Sequence, residues 1–344
     1  MSDGSLISNR KDEHIRINLE QDVQSGISNG LERYALRHVA LPEINLEDVS
    51  VQTSFWGKKL SAPILISSMT GGSRRAAELN RVFAQAANAT GVALGVGSQR
   101  AALEDPALSD TYNIRRYAPD VLLFANLGAV QLNYGLDVND CRRAVDMIGA
   151  DALILHLNPL QEALQPEGNT RFGGLLAKIA AVCAQISVPV MVKEVGWGID
   201  AETARRLVEA GVSAIDVAGA GGTSWSKVEK YRHKDPRLTA LAEEFDTWGN
   251  PTALCLKEIH GSGLKVPLIA SGGLSSGVDL AKCLALGASL GGFARPFLYS
   301  ANKGVEELIE HILTIKRTLE ICLFSCGHSN LSEWDFSVLR ELQR

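Results

Sequence analysis

The residues from His156 to Glu162 read HLNPLQE and bring an imidazole, two carboxamides and a carboxylate into seven positions. Such groups move protons and grip polar ligands. They follow the short apolar run ALIL (152–155), so the stretch looks like a barrel strand emptying into a site. The plainer reading is an ordinary polar loop. Other apolar runs end in the same way. SSMTGG (67–72) has small residues that let a flat ligand lie near the backbone, and GSQR (97–100) brings a hydroxyl and a guanidinium. Asn126 ends a third run, and Lys193 with Glu194 another. AGAGGTSW (218–225), SGG (271–273) and GGFARP (291–296) complete the series.

Glycine is the default turn residue, so one glycine pair says little. Glycine-rich turns at three consecutive late strands, each opening onto a helix start, can surround a phosphate with backbone N–H groups and favourable dipoles. No GxGxxG follows a strand at the start of a βαβ unit, which favours FMN over NAD as the phosphate-bearing ligand. Lys193 has two readings. It is a barrel-end lysine paired with a carboxylate or, in a flavin barrel, a cation facing the N1/C2-carbonyl edge of the isoalloxazine. RKDEHIRI (10–17) clusters Arg10, Lys11, His14 and Arg16. Taken alone it reads as a solvated charged segment; the alternative is an arm that folds over a site and offers cations to phosphate oxygens.

Positioning these groups requires a regular frame. From Ala62 onward, strands are expected at 63–68, 92–97, 121–126, 152–157, 189–194, 214–219, 267–271 and 289–293, each rich in Val, Ile, Leu or Ala. Such runs suit parallel strands covered on both faces. Amphipathic helices alternate with them at 74–89, 137–148, 173–186, 200–211 and 277–288, and a last helix at about 303–324 closes the ring. Eight successive units predict an α/β fold, a (β/α)8 TIM barrel, rather than an open doubly wound sheet. Short helix-to-strand links and longer strand-to-helix links mark the carboxyl-end loops as the working face. The expected organisation is an N-terminal arm and cap (1–61), a barrel (62–325) and a C-terminal tail (326–344). Residues 1–9 are small and polar, as in a segment mobile without ligand. Residues 31–60 suggest a capping helix and a β-hairpin, and the long connection at 220–250 suggests a lid ordered on binding or an oligomer contact.

With 344 residues the chain can bury a large core, and its net charge of −5 gives no general attraction to nucleic acid or anionic membrane. The six cysteines show neither a CxxC pair nor zinc spacing. Several sit in apolar helical patterns, which suits a reducing compartment. With no apolar signal segment and no apolar run of membrane-spanning length, a cytoplasmic protein is expected.

Taken together these motifs resemble the type 2 isopentenyl-diphosphate isomerases, the flavin-dependent isomerases of isoprenoid synthesis. The resemblance spans residues 9–300. It rests on RKDEH (10–14), HVALPE (38–43), SSMTGG (67–72), GSQR (97–100), ANLG (125–128), HLNPLQE (156–162), VKEVGWG (192–198), DVAGAGGTSW (216–225), WGNPT (248–252) and SGGLSSGVDLAK (271–282). It implies FMN held by Ser68, Met69, Thr70, Gly71, Ser98, Asn126, Lys193 and Thr223, with Gly272, Gly273, Ala294 and Arg295 around its phosphate. It places Arg10, Lys11, Ser98, Gln99, Arg100 and Gln161 on the substrate, with His14, His156 and Asn158 as further diphosphate or metal-shell contacts, and Mg²⁺ on Glu162. Ser275 departs from the pattern, since many relatives carry Arg there. Mg²⁺ commonly binds one carboxylate plus phosphate oxygens, so a single Glu162 suffices.

The reaction moves a double bond by adding a proton to one carbon and removing one from an allylic carbon. A carboxamide is a poor base in water, so reduced FMN is expected to supply acid–base capacity, N5 being the proton donor. Gln161 would orient the reacting carbon or relay the second proton, and NADPH would serve only to reduce the flavin. The resemblance also implies a homotetramer or homo-octamer, for which Trp56, Trp225 and Trp248 look exposed enough to serve as contacts. Two other readings compete. One is an FMN barrel doing redox chemistry, of the 2-hydroxy-acid oxidase or ene reductase type. The oxidase would be expected to carry a histidine base and an arginine clamp near strands seven and eight, where the sequence offers Arg295 but no histidine before His311. The other is a non-catalytic flavin- or phosphate-binding barrel.

Overall fold

The structure, a computed structural model, describes residues 3–342. Its eight barrel strands are β1 (Ile64–Ile66), β2 (Ala93–Gly95), β3 (Leu123–Gly128), β4 (Ala152–His156), β5 (Val190–Lys193), β6 (Ala214–Asp216), β7 (Leu268–Ala270) and β8 (Leu290–Phe293). All run parallel, each beside its neighbours in sequence, and β8 returns to β1. Among the helices, those that bear on the site are α1 (Asp3–Glu20), α2 (Arg74–Thr90), α3 (Pro159–Leu164), α4 (Trp225–Arg232), α5 (Pro236–Glu243), α6 (Arg295–Lys303) and α7 (Val305–Ser325). No helix among the described residues is long and apolar enough to cross a membrane.

Strand alternation builds both the interior and the rim. Leu65, Phe124, Ile154, Met191, Ile269 and Leu290 pack together inside the barrel, while neighbours such as Ile64, Leu153, Leu155 and Val192 join the core beneath the helices. Side chains alternate with a period of two. Two residues beyond each inward position, the carboxyl rim therefore receives Ser67, Asn126, His156, Lys193, Ser271 and Gly292. The register agrees, pairing Lys193 with His156 on one side and Asp216 on the other.

The opposite end is plugged. A hairpin pairs Thr53–Phe55 with Lys58–Leu60 through a two-residue turn in which Trp56 and Gly57 both have positive φ (45° and 79°), as a tight hairpin of this hand requires. The rings of Phe55 and Trp56 lie 4.7 Å apart, and Trp56 lies 5.9 Å from Phe124 of the inner core. Trp56, expected to be exposed, is thus a stopper for the barrel. Of the three tryptophans considered for interfaces, Trp248 remains open at 61% exposure.

The N-terminal arm follows the second of its two readings. Residues 10–17 are not a solvated run: they belong to α1, which begins at Asp3 and lies across the barrel mouth. Ile17 packs with Val23, Val228 and Trp225. The apolar residues Ile15, Ile17 and Leu19 alternate, a strand-like spacing, so the helix is set by its docking rather than by its own periodicity. In place of the capping helix expected within 31–60 stand two 3-10 turns, at Leu31–Arg33 and Leu46–Asp48. The connection at 220–250 is not structureless, since it holds α4 and α5. The tail is tied back as well. Leu339–Glu341 pairs antiparallel with Tyr34–Leu36, and the buried Trp334 donates its Nε1–H to Ala281 O at 2.8 Å.

Candidate active site

A cavity of about 640 Å³ opens at the carboxyl rim, with α1 and α4 contributing to its walls. Its floor is made of small residues. The Ser67, Ser68 and Thr70 hydroxyls are buried there without protein partners. An unmade hydrogen bond on a buried hydroxyl costs roughly 1–3 kcal/mol, so these groups await a polar ligand. A Cβ at Gly292 would come within 2.5 Å of Ser67 Oγ, so the backbone leaves no spare room there. Two glycine turns stand back to back beside this floor: at Gly272 (φ 102°) a Cβ would strike Gly219 O at 2.0 Å, and at Gly273 (φ 81°) Gly221 O at 2.5 Å. Asn29 Nδ2 and Gln24 Nε2 hold these turns through Gly273 O and Gly221 O, both at 2.8 Å.

The two candidate side chains at the phosphate end are otherwise engaged. Ser275 Oγ bonds Asp279 at the start of the following helix. Arg295 lines the cavity, but its guanidinium donates to Asn18 O and Gln21 O at the end of α1. A phosphate here would meet backbone N–H groups first. Lys193 is paired with a carboxylate and also lines the cavity: its Nζ donates to Glu194 O at 2.6 Å and lies 3.9 Å from Asp216 Oδ2. Burial pushes the Asp216 carboxyl up, with Lys193 and Ser271 opposing it.

On the other side stand the cations of the arm. Lys11 Nζ donates to Ser98 O (2.8 Å) and Tyr112 OH (2.6 Å). Burial, together with Arg10 and Arg100, lowers its pKa to about 7, although Glu104 opposes the shift. An arriving anion would restore the charge. His156 is pushed down to about 3 by burial and by Lys193 and Lys11. With the ring neutral, Nδ1–H donates to Asn126 Oδ1 at 2.9 Å.

Two expected residues miss the cavity. Gln99 is fully buried; its amide donates to Ala144 O and its carbonyl accepts from Asn126 N, so it braces the backbone that carries Asn126. Gly71 faces the Tyr112 ring, where a Cβ would lie 2.0 Å from Cε1. Overpacking of this kind costs about 1–3 kcal/mol. Gly71→Ala is expected to lower Tm and, by displacing Tyr112 from Lys11, to weaken binding of inorganic diphosphate. Thermal melts and titration calorimetry check both, and a parent-like Tm would show that the ring yields freely.

The polar end of the cavity is built by α3 and α4. Pro159 starts α3 immediately after Asn158, which sets Asn158, Gln161 and Glu162 on one face. Asn158 Nδ2 donates to Gln161 Oε1 (3.1 Å) and Glu162 Oε1 (3.0 Å). The other Glu162 oxygen accepts from Gln165 Nε2 and Asn169 N. Glu162 is buried and makes no ion pair among the described residues, while Asn158 Oδ1 is buried without a partner. No group of three or more His, Cys, Asp or Glu side chains suited to a metal occurs among the described residues. The donors present therefore fit a hard cation held by one carboxylate and completed by ligand oxygens and water.

Behind Gln161 lies a residue that sequence reasoning missed. Glu229 is fully buried, and its Oε1 accepts from Gln161 Nε2 at 3.1 Å and lies 3.2 Å from His14 Nε2. Burial alone would raise the Glu229 carboxyl; His14 and Arg232 outweigh it and hold it at about 2. Burial lowers the His14 imidazole, with Glu229 opposing the shift, and Arg232 adds its guanidinium at 2.6 Å from Glu229 Oε2. A signal was available in WSKVEKYR, where Trp225, Val228, Glu229 and Arg232 fall at helical spacing and put a carboxylate on an otherwise packed face.

Relatives place this site in a family. A protein from Nostoc sp. named isopentenyl-diphosphate delta-isomerase is 50% identical over 344 residues, covering 99% of this chain and 98% of its own length. One of the same name from Oceanobacillus iheyensis is 49% identical, covering 95% and 94%. The chain belongs to the isopentenyl-diphosphate delta-isomerase family. It is thus an isomerase by descent. A family model described as FMN-dependent dehydrogenase also matches residues 165–341. Among solved structures, (S)-mandelate dehydrogenase superposes with a TM-score of 0.68 at 15% identity over 98% of both chains. A flavocytochrome b2 variant gives 0.67 at 15% over 95% of this chain and 82% of its own. At such identity these two speak for the barrel alone. In this isomerase family member His311 lies on α7 and bonds Ser300 at 2.8 Å, and the histidines lining the cavity among the described residues are His14 and His156.

Proposed function

We propose that this chain isomerises isopentenyl diphosphate to dimethylallyl diphosphate, using reduced FMN and Mg²⁺, with NADPH needed only to reduce the flavin. One arrangement supports this above all: a buried carboxylate–carboxamide pair, Glu229 and Gln161, stands beside a second buried carboxylate, Glu162, at the polar end of a cavity whose floor is small and glycine-rich. When bound, reduced FMN would supply the acid–base face on which the alkene lies. The partnerless Ser67, Ser68 and Thr70 hydroxyls and the turns at 219–222 and 272–273 suit its polar edge and phosphate, and Lys193 would meet the electron-rich edge of its ring.

The substrate's diphosphate would be gripped by Arg10, Lys11 and Arg100, with Mg²⁺ between its oxygens and Glu162. The alkene end offers nothing to hydrogen-bond, so the grip on the diphosphate must fix its place. Gln161 is held at both ends, its amide nitrogen by Glu229 and its oxygen by Asn158. It can therefore present the reacting carbon with a fixed group: a proton taken at Gln161 Oε1 would be matched by one passed from Nε2 to Glu229 Oε1, and the return transfer would restore the amide from its imidic tautomer. Gln161 alone would be a poor base; the carboxylate behind it gives the proton a transient acceptor, whose weak basicity favours passing it back.

No electrons are gained or lost between isopentenyl and dimethylallyl diphosphate. Anaerobic protein with FMN, Mg²⁺ and isopentenyl diphosphate is therefore expected to turn over many times for each NADPH oxidised. Consumption of one NADPH per product would refute the scheme.

A further inference from the structure

The geometry points to Arg232 as a positioning residue, one that fixes Glu229 behind Gln161 and fastens α1 over the cavity. The inference rests on the function proposed above. Arg232 leaves α4 with its side chain only 9% exposed and reaches carboxylates in three segments. Nη1 meets Glu229 Oε2 at 2.6 Å, Nη2 meets Glu167 Oε1 at 2.9 Å, and Nε approaches Glu13 Oε2 at 3.3 Å. A guanidinium offers donors in fixed divergent directions, whereas an ammonium is a compact point charge. Three simultaneous partners therefore call for Arg in particular.

Each partner belongs to a different wall of the site. Glu229 contacts Gln161 with its other oxygen, so the Arg232 bond decides which way that oxygen faces. Without it, Glu229 would be a buried carboxylate with only Gln161 and His14 beside it, and it would turn away or take up a proton. Glu13 lies on α1, between the cavity-lining Lys11 and His14. Glu167 follows α3, between Gln165 and Asn169, which both bond Glu162, and it also draws Arg10 to 3.7 Å. Glu13 and Glu167 are about half exposed (51% and 48%). Exposed pairs contribute little singly, so the two outer contacts fasten the arm together while the buried one governs Glu229.

Arg232→Gln, Arg232→Lys and the double variant Glu13→Gln/Glu167→Gln separate these roles. Each is measured for kcat and KM with isopentenyl diphosphate, for flavin content, and for the rate of trypsin cleavage within α1 at Lys11 and Arg16 without substrate. Arg232→Gln is expected to lower kcat by about 10- to 100-fold, raise KM and speed cleavage. Arg232→Lys keeps a charge beside Glu229, so it should recover most of kcat without restoring protection of the arm. The double variant should raise KM and cleavage several-fold while lowering kcat far less. A flavin-loaded Arg232→Gln protein with the parent kcat overturns the role at Glu229, and parent-like cleavage of the double variant overturns the fastening of the arm. Should Arg232→Gln fail to fold, Arg232→Lys and the double variant still decide: a Lys variant that keeps parent-like arm protection contradicts the proposal. Failure of the parent protein to isomerise would sink the proposed function instead, and the trypsin rates would still test the arm.

Discussion

Glu229→Gln is expected to lower kcat for isomerisation by about 10²- to 10⁴-fold, the range associated with losing a positioned acid or base, with much smaller changes in KM and flavin content. Glutamine matches glutamate in size, so the packing of α4 survives, but it cannot hold a proton at Oε1. Glu229 does not line the cavity, and a loss confined to kcat would therefore mark it as the proton store behind Gln161 rather than a binding group. Stability gives a second check with a fixed sign. The folded protein holds the Glu229 carboxyl below its ordinary value of 4.5, at about 2. Its ionisation thus favours the fold fully above the ordinary value, and that contribution is lost as pH falls toward 2. In Glu229→Gln this part of the acid-side decline in Tm should vanish. A variant with parent kcat would exclude the relay, whatever its melting behaviour.

Why this residue escaped the sequence reading is instructive in physical terms. The barrel was legible because parallel strands covered on both faces are continuous apolar runs, and alternation then carried Asn126, His156 and Lys193 to the rim. HLNPLQE was legible because a strand, a proline and a helical turn keep its polar groups within seven residues. Glu229 lies 68 residues from Gln161 in sequence, inside a connection that read as a lid or an oligomer contact. Its meaning comes from long-range packing that brings α4 against α1 and α3. The residues of the arm alone could not decide between its two readings for the same reason: Lys11 acquires its setting from Ser98 and Tyr112, 87 and 101 residues away. Gln99 and Gly71 show the reverse error, because adjacency to Ser98 and Thr70 in sequence does not turn a side chain toward the same space.

The fold itself is shared with barrels named as dehydrogenases and oxidases, so chemistry must be decided by what is laid over the mouth. Here that is α1 with its cations and α4 with its carboxylate, both joined to α3. Proton transfer without electron transfer needs groups that shuttle a proton within a closed space, and a covered mouth with buried carboxylates meets that need better than an open rim.

Glu162→Gln should raise the Mg²⁺ concentration for half-maximal activity by at least about 10²-fold, since even residues supporting a metal ligand change affinity by about 10- to 100-fold. Three observations set this expectation apart from a purely structural role. Glu162 is buried with no ion pair among the described residues; its hydrogen bonds come from Asn158, Gln165 and Asn169, all neutral donors; and the partnerless Asn158 Oδ1 is close by. Such donors orient a carboxylate without neutralising it, which is costly in a buried place, and Arg10 offsets its charge only from beyond ion-pair distance. A divalent cation supplies the compensation, and the diphosphate supplies the cation's remaining oxygens. If Glu162 served only to cap Asn169, the neutral amide would lower Tm and leave the Mg²⁺ dependence where it was. If it holds the metal, removing its charge should spare or raise Tm in metal-free buffer, and Mg²⁺ should no longer tighten diphosphate binding. Titration calorimetry with inorganic diphosphate, with and without Mg²⁺, distinguishes the two outcomes without requiring turnover.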